Sequence, residues 1–171
     1  MMLGGAHRRS GPGTAPQQGF TLIELLVTVT IVALMATMAL PMLELTERRG
    51  HERTLRESLR QMRGALDAYK QAVDDGRILE EIKGSGYPPS LDILVLGVVD
   101  AKSPNRSQKI YFLRRIPPDP FASNPNEPPA LQWGLRSYSS SADNPQAGAD
   151  VYDVYSRSPA IGLNGVPYRE W

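Results

Sequence analysis

Cysteine is absent from all 171 residues. That excludes a disulfide framework, a thiolate nucleophile and any zinc site built on cysteine, and it leaves the redox compartment unmarked. Histidine is nearly as scarce, with His7 and His51 alone. His51 sits on a charged stretch, and no Ser-His-Asp set can be argued around a solitary histidine of this kind. An excess of charge of either sign is missing too. The formal net charge is +1, and the most charged stretch, Glu44 to Lys83, holds nine basic and nine acidic residues. Polyanion binders usually show a basic excess on one face, so nucleic acid is not an expected partner. "GSG" at 84 to 86 has neither the strand-to-helix context nor the lysine of a phosphate loop, and reads as linker. Nothing in the chain reads as a catalytic centre, and it is not expected to be an enzyme.

What is present is one long apolar run. From Leu25 to Leu43 there are nineteen residues without a charge, and at about 1.5 Å per residue such a helix covers roughly 28 Å, close to the ~30 Å hydrocarbon core of a bilayer. His7, Arg8 and Arg9 lie upstream, and no acid occurs before Glu24. The positive-inside rule then puts the N-terminus in the cytoplasm and residues 44 to 171 across the membrane, in a single-pass topology. A cleaved secretory signal would be shorter and end in a small-x-small site, whereas a plain signal-anchor would fit the length. Glu24 shifts the balance away from both, because an acid inside a membrane costs a few kcal/mol and normally marks a paired or functional group; the alternative is an acid that sits at the interface and snorkels. Pro41 removes one backbone hydrogen bond, so it either kinks the helix or ends the span. A kink is expected, since the sequence beyond it stays helical in character.

Beyond Pro41, Leu55, Leu59, Met62, Leu66, Tyr69 and Val73 recur at alternating spacings of four and three, which is one helical stripe suited to packing on the chain's own sheet. Asp74-Asp75-Gly76 reads as its stop, because glycine takes the left-handed conformation that closes helices. Twelve of the fifteen prolines follow Lys83, so the last half is rich in turns. Within it "KIYFL" (109–113), "LQWGLRSY" (131–138) and "DVYDVYSR" (150–157) have strand character. In the last, Val151 and Asp153 are expected on one face, opposite Tyr152, Val154 and Ser156. "YPPSLDILVLG" reads as a turn followed by a short helix or extended segment. The fold class expected is α+β, a long N-terminal helix packed on a small antiparallel sheet.

These residues carry a resemblance. "GFTLIELLVTVTIVALMATMALPML" is similar to the N-terminus of type IV pilin-like proteins, with a Gly-Phe junction, an acid at the fifth position from the Phe and a proline at the twenty-second. "GYPPSLDILV", "RRIPPDPF", "WGLRSY" and "DVYDVYS" fall in the order found in the major pseudopilins of type II secretion systems. In that group Gly86 to Pro89, Ile116 to Phe121 and Asp153 to Ser156 match recurring segments. The resemblance implies a pilin-like fold and cleavage between Gly19 and Phe20 by a prepilin peptidase, with N-methylation of Phe20. It further implies that Phe20, Glu24 and Pro41 serve assembly, Glu24 by meeting the new α-ammonium of Phe20 in its own subunit or a neighbour. Implied partners are further copies of the chain, other pseudopilins, the peptidase, an inner-membrane assembly platform and the membrane, with the C-terminal domain periplasmic. The implied organisation is a leader over residues 1–19, a transmembrane assembly helix over 20–43, an amphipathic extension over 44–83 and a periplasmic domain over 84–171.

The related proteins hold calcium in the loop after the last strand, and calcium prefers several carboxylate and carbonyl oxygens. Here that loop, "SRSPAIGLNGVPYREW", offers Asn164 and Glu170 alone. The expectation is no metal and no cofactor, with Asp143, Asp150 and Asp153 as weak calcium candidates. Packing of Tyr168 and Trp171 on the sheet is the ion-free way to order the loop. The function implied is a structural subunit of a periplasmic pseudopilus that drives protein export. Two alternatives stand beside it: a pilin or minor pilin of an adhesive or DNA-uptake filament, and a signal-anchored periplasmic module that does not polymerise.

Overall fold

A computed structural model describes residues 19–79, 84–105 and 107–171; for residues 38–41 it describes the backbone alone. The expected leader therefore lies outside the described residues, apart from Gly19. The chain divides into two compact units, Met1–Leu43 and Glu44–Trp171.

In the first unit, α1 begins; its full extent is Leu22–Asp74. Thr21 starts it, its Oγ1 accepting the Glu24 N–H at 3.3 Å, as an N-cap hydroxyl does for the third helical residue. Pro41 lies within α1 and does not end it. Every large apolar residue from Phe20 to Met35 is 48–82% exposed. The hydroxyls that interrupt this surface are turned back on the helix: Thr28 donates to the Leu25 carbonyl at 2.9 Å, Thr30 to Leu26 and Thr37 to Leu34, both at 2.7 Å. A hydroxyl satisfied by its own helix can face lipid without the cost of an unmet donor.

In the second unit the apolar stripe is the centre of the core. Leu55, Leu59, Met62, Leu66 and Tyr69 are buried, with Val73 at the margin. They meet Leu91 and Leu94 from α2 (Asp92–Leu96) and its approach, together with Leu113, Trp133, Val151, Val154 and Tyr168. The stop after Asp74 is a Schellman closure. Gly76 takes φ +67°, its N–H donating to the Val73 carbonyl at 2.8 Å while the Arg77 N–H reaches Ala72 at 2.9 Å, which satisfies carbonyls the helix end would leave bare. The helix thus ends short of residue 83, and residues 80–83 lie outside those described.

Among the described residues the sheet is two separate antiparallel ladders, each of two strands. β1 (Val98–Val99) pairs with β2 (Lys109–Ile110), and β3 (Trp133–Arg136) with β4 (Asp153–Ser156), with Gly134 opposite Tyr155. All three expected strands are shorter than their sequence runs. After Ile110 the Phe112 and Leu113 N–H groups turn to the Leu94 carbonyl, so the second half of "KIYFL" caps α2. Leu131 falls in the short helix α3 (Pro129–Gln132), because proline is preorganised for the first helical position. Val151 lies outside β4 and is buried, whereas Asp153 is half-buried. The Val151 N–H donates to Pro88 at 2.8 Å before β4 begins, and its side chain is buried with Val154. The architecture is α+β and pilin-like, a long N-terminal helix packed with small antiparallel sheets.

Candidate assembly segment and terminal loop

Phe20 and Glu24 are exposed, and Glu24 occupies the first turn of α1. An acid there complements the positive end of the helix dipole by about 0.3–1 kcal/mol. That is less than the few kcal/mol an ionised side chain costs in lipid, so the dipole alone does not account for the acid. Among the described residues, its chain neighbours aside, no atom lies within 4 Å of where a Cβ at Gly19 would be. Pro41 lies about five helical turns further along the chain and is not brought together with this group.

The second unit builds a continuous network around its last strand. Asp119, from the "IPPDPF" segment, is buried. Its Oδ2 accepts the Ser156 hydroxyl of β4 at 2.6 Å and its Oδ1 the Phe121 N–H at 2.8 Å. Phe121 stacks on Tyr168 with centroids 4.1 Å apart, and Trp171 meets Tyr168 edge-on at 5.0 Å. Arg63 reaches from α1 to the Asp153 carboxylate at 2.8 Å and to the Trp171 carbonyl at 2.7 Å. On β3, Gly134 is required by close approach, since a Cβ there would lie 2.3 Å from the Tyr155 ring.

The weak calcium candidates do not converge. Asp153 faces two cations, Arg63 at 2.8 Å and Arg136 at 3.8 Å. Asp150 accepts the Ser137 hydroxyl and the Tyr138 N–H, both at 2.8 Å. Burial pushes its carboxyl up, but hydrogen bonds from Ser85, the Tyr138 amide and Ser137 outweigh that and hold it below the usual carboxylate range. Asp143 is exposed in a depression it shares with Arg169. Among the described residues no three His, Cys, Asp or Glu side chains gather as a metal site. His51 is exposed, its ring 5.7 Å from that of Phe121.

Glu52 is the residue that periodicity should have raised and did not. It is buried, and its Oε1 accepts the Leu163 N–H at 2.7 Å and the Tyr168 hydroxyl at 3.0 Å. Arg48 donates from Nε to the same hydroxyl at 3.2 Å and from its terminal nitrogen to the Ile161 carbonyl. Positions 48 and 52 continue the four-and-three spacing of the stripe toward the N-terminus. Charged residues in the register of a buried stripe were the available signal.

Residues 14–40 match the family model described as a prokaryotic N-terminal methylation motif. The chain is 26% identical over 136 residues to type II secretion system core protein G of Pseudomonas aeruginosa, an alignment covering 78% of this chain and 89% of that protein. It is 29% identical over 112 residues to the core protein G of Klebsiella pneumoniae, covering 63% of this chain and 71% of the relative. With that of Aeromonas hydrophila it shares 27% over 107 residues, covering 63% and 69%. No solved structure matches the chain.

Proposed function

We propose that this chain is a pseudopilin, a membrane-anchored structural subunit that polymerises into the periplasmic pseudopilus of a type II secretion system. The observation that carries the reading is the coincidence of the methylation motif with an apolar helical segment whose large side chains, among the described residues, are all exposed. At about 1.5–3 kcal/mol for each such side chain removed from water, the segment gains on the order of 15–30 kcal/mol in lipid or against neighbours of its own kind. Exchange of one apolar surrounding for the other is what a subunit does when it leaves the bilayer for a filament. Similarity to core protein G over most of the chain directs that filament to secretion.

In this mechanism prepilin peptidase cuts between Gly19 and Phe20 on the cytoplasmic side of the inner membrane, removes residues 1–19 and methylates Phe20. The new ammonium pairs with Glu24, and because leaving one charge of a buried pair alone costs about 3–5 kcal/mol, the pair sets the axial register of subunits. Pro41 kinks the assembly helix, and residues 44–171 stand in the periplasm. The subunit performs no chemistry; other pseudopilins and the assembly platform are its partners, with energy supplied from outside the chain. Intact-mass and N-terminal peptide analysis of the protein from native membranes tests this. A mature chain beginning at N-methylated Phe20 is expected. A chain still carrying residues 1–19 would indicate the non-polymerising anchored module.

A further inference from the structure

The terminal loop, residues 157–167, is where the resemblance implies a calcium ion, and its surroundings are built for the opposite charge. A calcium site gathers about six to eight oxygens, turning loop carbonyls and carboxylates inward. Here the loop turns an N–H inward, that of Leu163, onto the buried Glu52 carboxylate at 2.7 Å. Two residues earlier, the carbonyl of Ile161 is taken by the Arg48 guanidinium. Tyr168, fully buried, closes the arrangement by donating its hydroxyl to Glu52 at 3.0 Å and accepting from Arg48 at 3.2 Å. Within the loop the Asn164 Oδ1 already accepts the Val166 N–H at 3.1 Å, and the Val166 carbonyl takes the Gly162 N–H at 2.8 Å and the Trp171 indole N–H at 3.2 Å. Asp153, the nearest strand acid in sequence, faces two guanidinium groups. A divalent cation entering here would meet arginines where it needs oxygens.

We infer that the helix carboxylate Glu52, braced by Arg48, does in this chain what a bound cation does for the loop in its relatives, so that the loop is ordered by side chains and folds without calcium. The sign of the centre is inverted: an anion collects amide hydrogens, and a guanidinium collects the carbonyl. The inference concerns this chain's own fold and stands whether or not the filament reading holds.

The test uses the full chain in detergent micelles, with calcium chloride and the chelator EGTA as the probes. Thermal unfolding of the wild type should be the same in either, and amide exchange across residues 161–168 should not change. Glu52→Ala should speed exchange of the Leu163 amide about tenfold or more, the loss of a hydrogen bond to a charged acceptor, while amides from Leu55 to Tyr69 keep their protection. Glu52→Gln, which retains an acceptor oxygen, should fall between and serves if the alanine variant does not fold. A lower melting temperature of the wild type in EGTA, calcium restoring protection to the alanine variant, or a Leu163 amide still protected without Glu52 would each overturn the inference.

Discussion

At Glu24 two free energies compete. The helix terminus returns about 0.3–1 kcal/mol to an acid in its first turn, whereas insertion costs a few kcal/mol. Removal of the carboxylate should therefore not impair insertion. Glu24→Ala is expected to insert and be cleaved normally while incorporation into filaments falls on the order of a hundredfold, the equivalent of about 3 kcal/mol from a broken pair. Quantifying sheared filaments against membrane pools measures this, and an undiminished filament yield would remove Glu24 from the register role. Elsewhere the titration of Asp100 belongs at the same scale. The Arg77 guanidinium bonded to it at 2.6 Å holds its carboxyl below the usual 3.8, aided by the Lys102 amide and against burial. Asp150 is lowered as well. A depressed folded value means that the contribution is complete above the unfolded value and is lost as pH falls through the folded one. Thermal melts should be level from neutral pH down to about 5 and decline below about 4. Asp100→Asn should flatten that decline, and an unchanged acid limb would assign it to other groups.

Along α1 the closing turn offers an element-level test. Among the described residues a Cβ at Gly76 would find only the Lys102 side chain, at 3.8 Å, so the obstacle is φ +67°. Gly76→Ala should lower stability by roughly 1–2 kcal/mol, and Gly76→Asn by less, since asparagine visits the left-handed region more readily. Urea midpoints at constant slope would read this, and equal losses for both variants would point to packing instead. This stop and the stripe above it are legible in the sequence because both follow from local rules, periodicity and backbone conformation. The strands are legible only as regions. Where "KIYFL" yields to the Leu94 carbonyl, and where Val151 is drawn to Pro88, the decision rests on partners distant in sequence. Glu52 is hidden for a related reason: among so many charges on the helix, burial of one is decided by a loop more than a hundred residues away. Asp119 was visible as part of a matched segment, but its bond to Ser156 is a tertiary fact.

For the molecule as a whole, the division at Leu43 separates a surface that avoids water from one that tolerates it. A chain beginning at Glu44 should remain in solution as a folded monomer, whereas the full chain should partition into detergent. Phase separation in a clouding detergent distinguishes them, and a shortened chain that aggregates would show that the core of the second unit depends on the apolar segment. The threonines of that segment have a mechanical consequence. With Thr28, Thr30 and Thr37 each donating its hydroxyl proton within its own helix, no outward donor remains on them to catch a neighbour at one height. Along this stretch, any axial register between such helices would therefore have to come from the shapes of their apolar side chains and not from these hydroxyls.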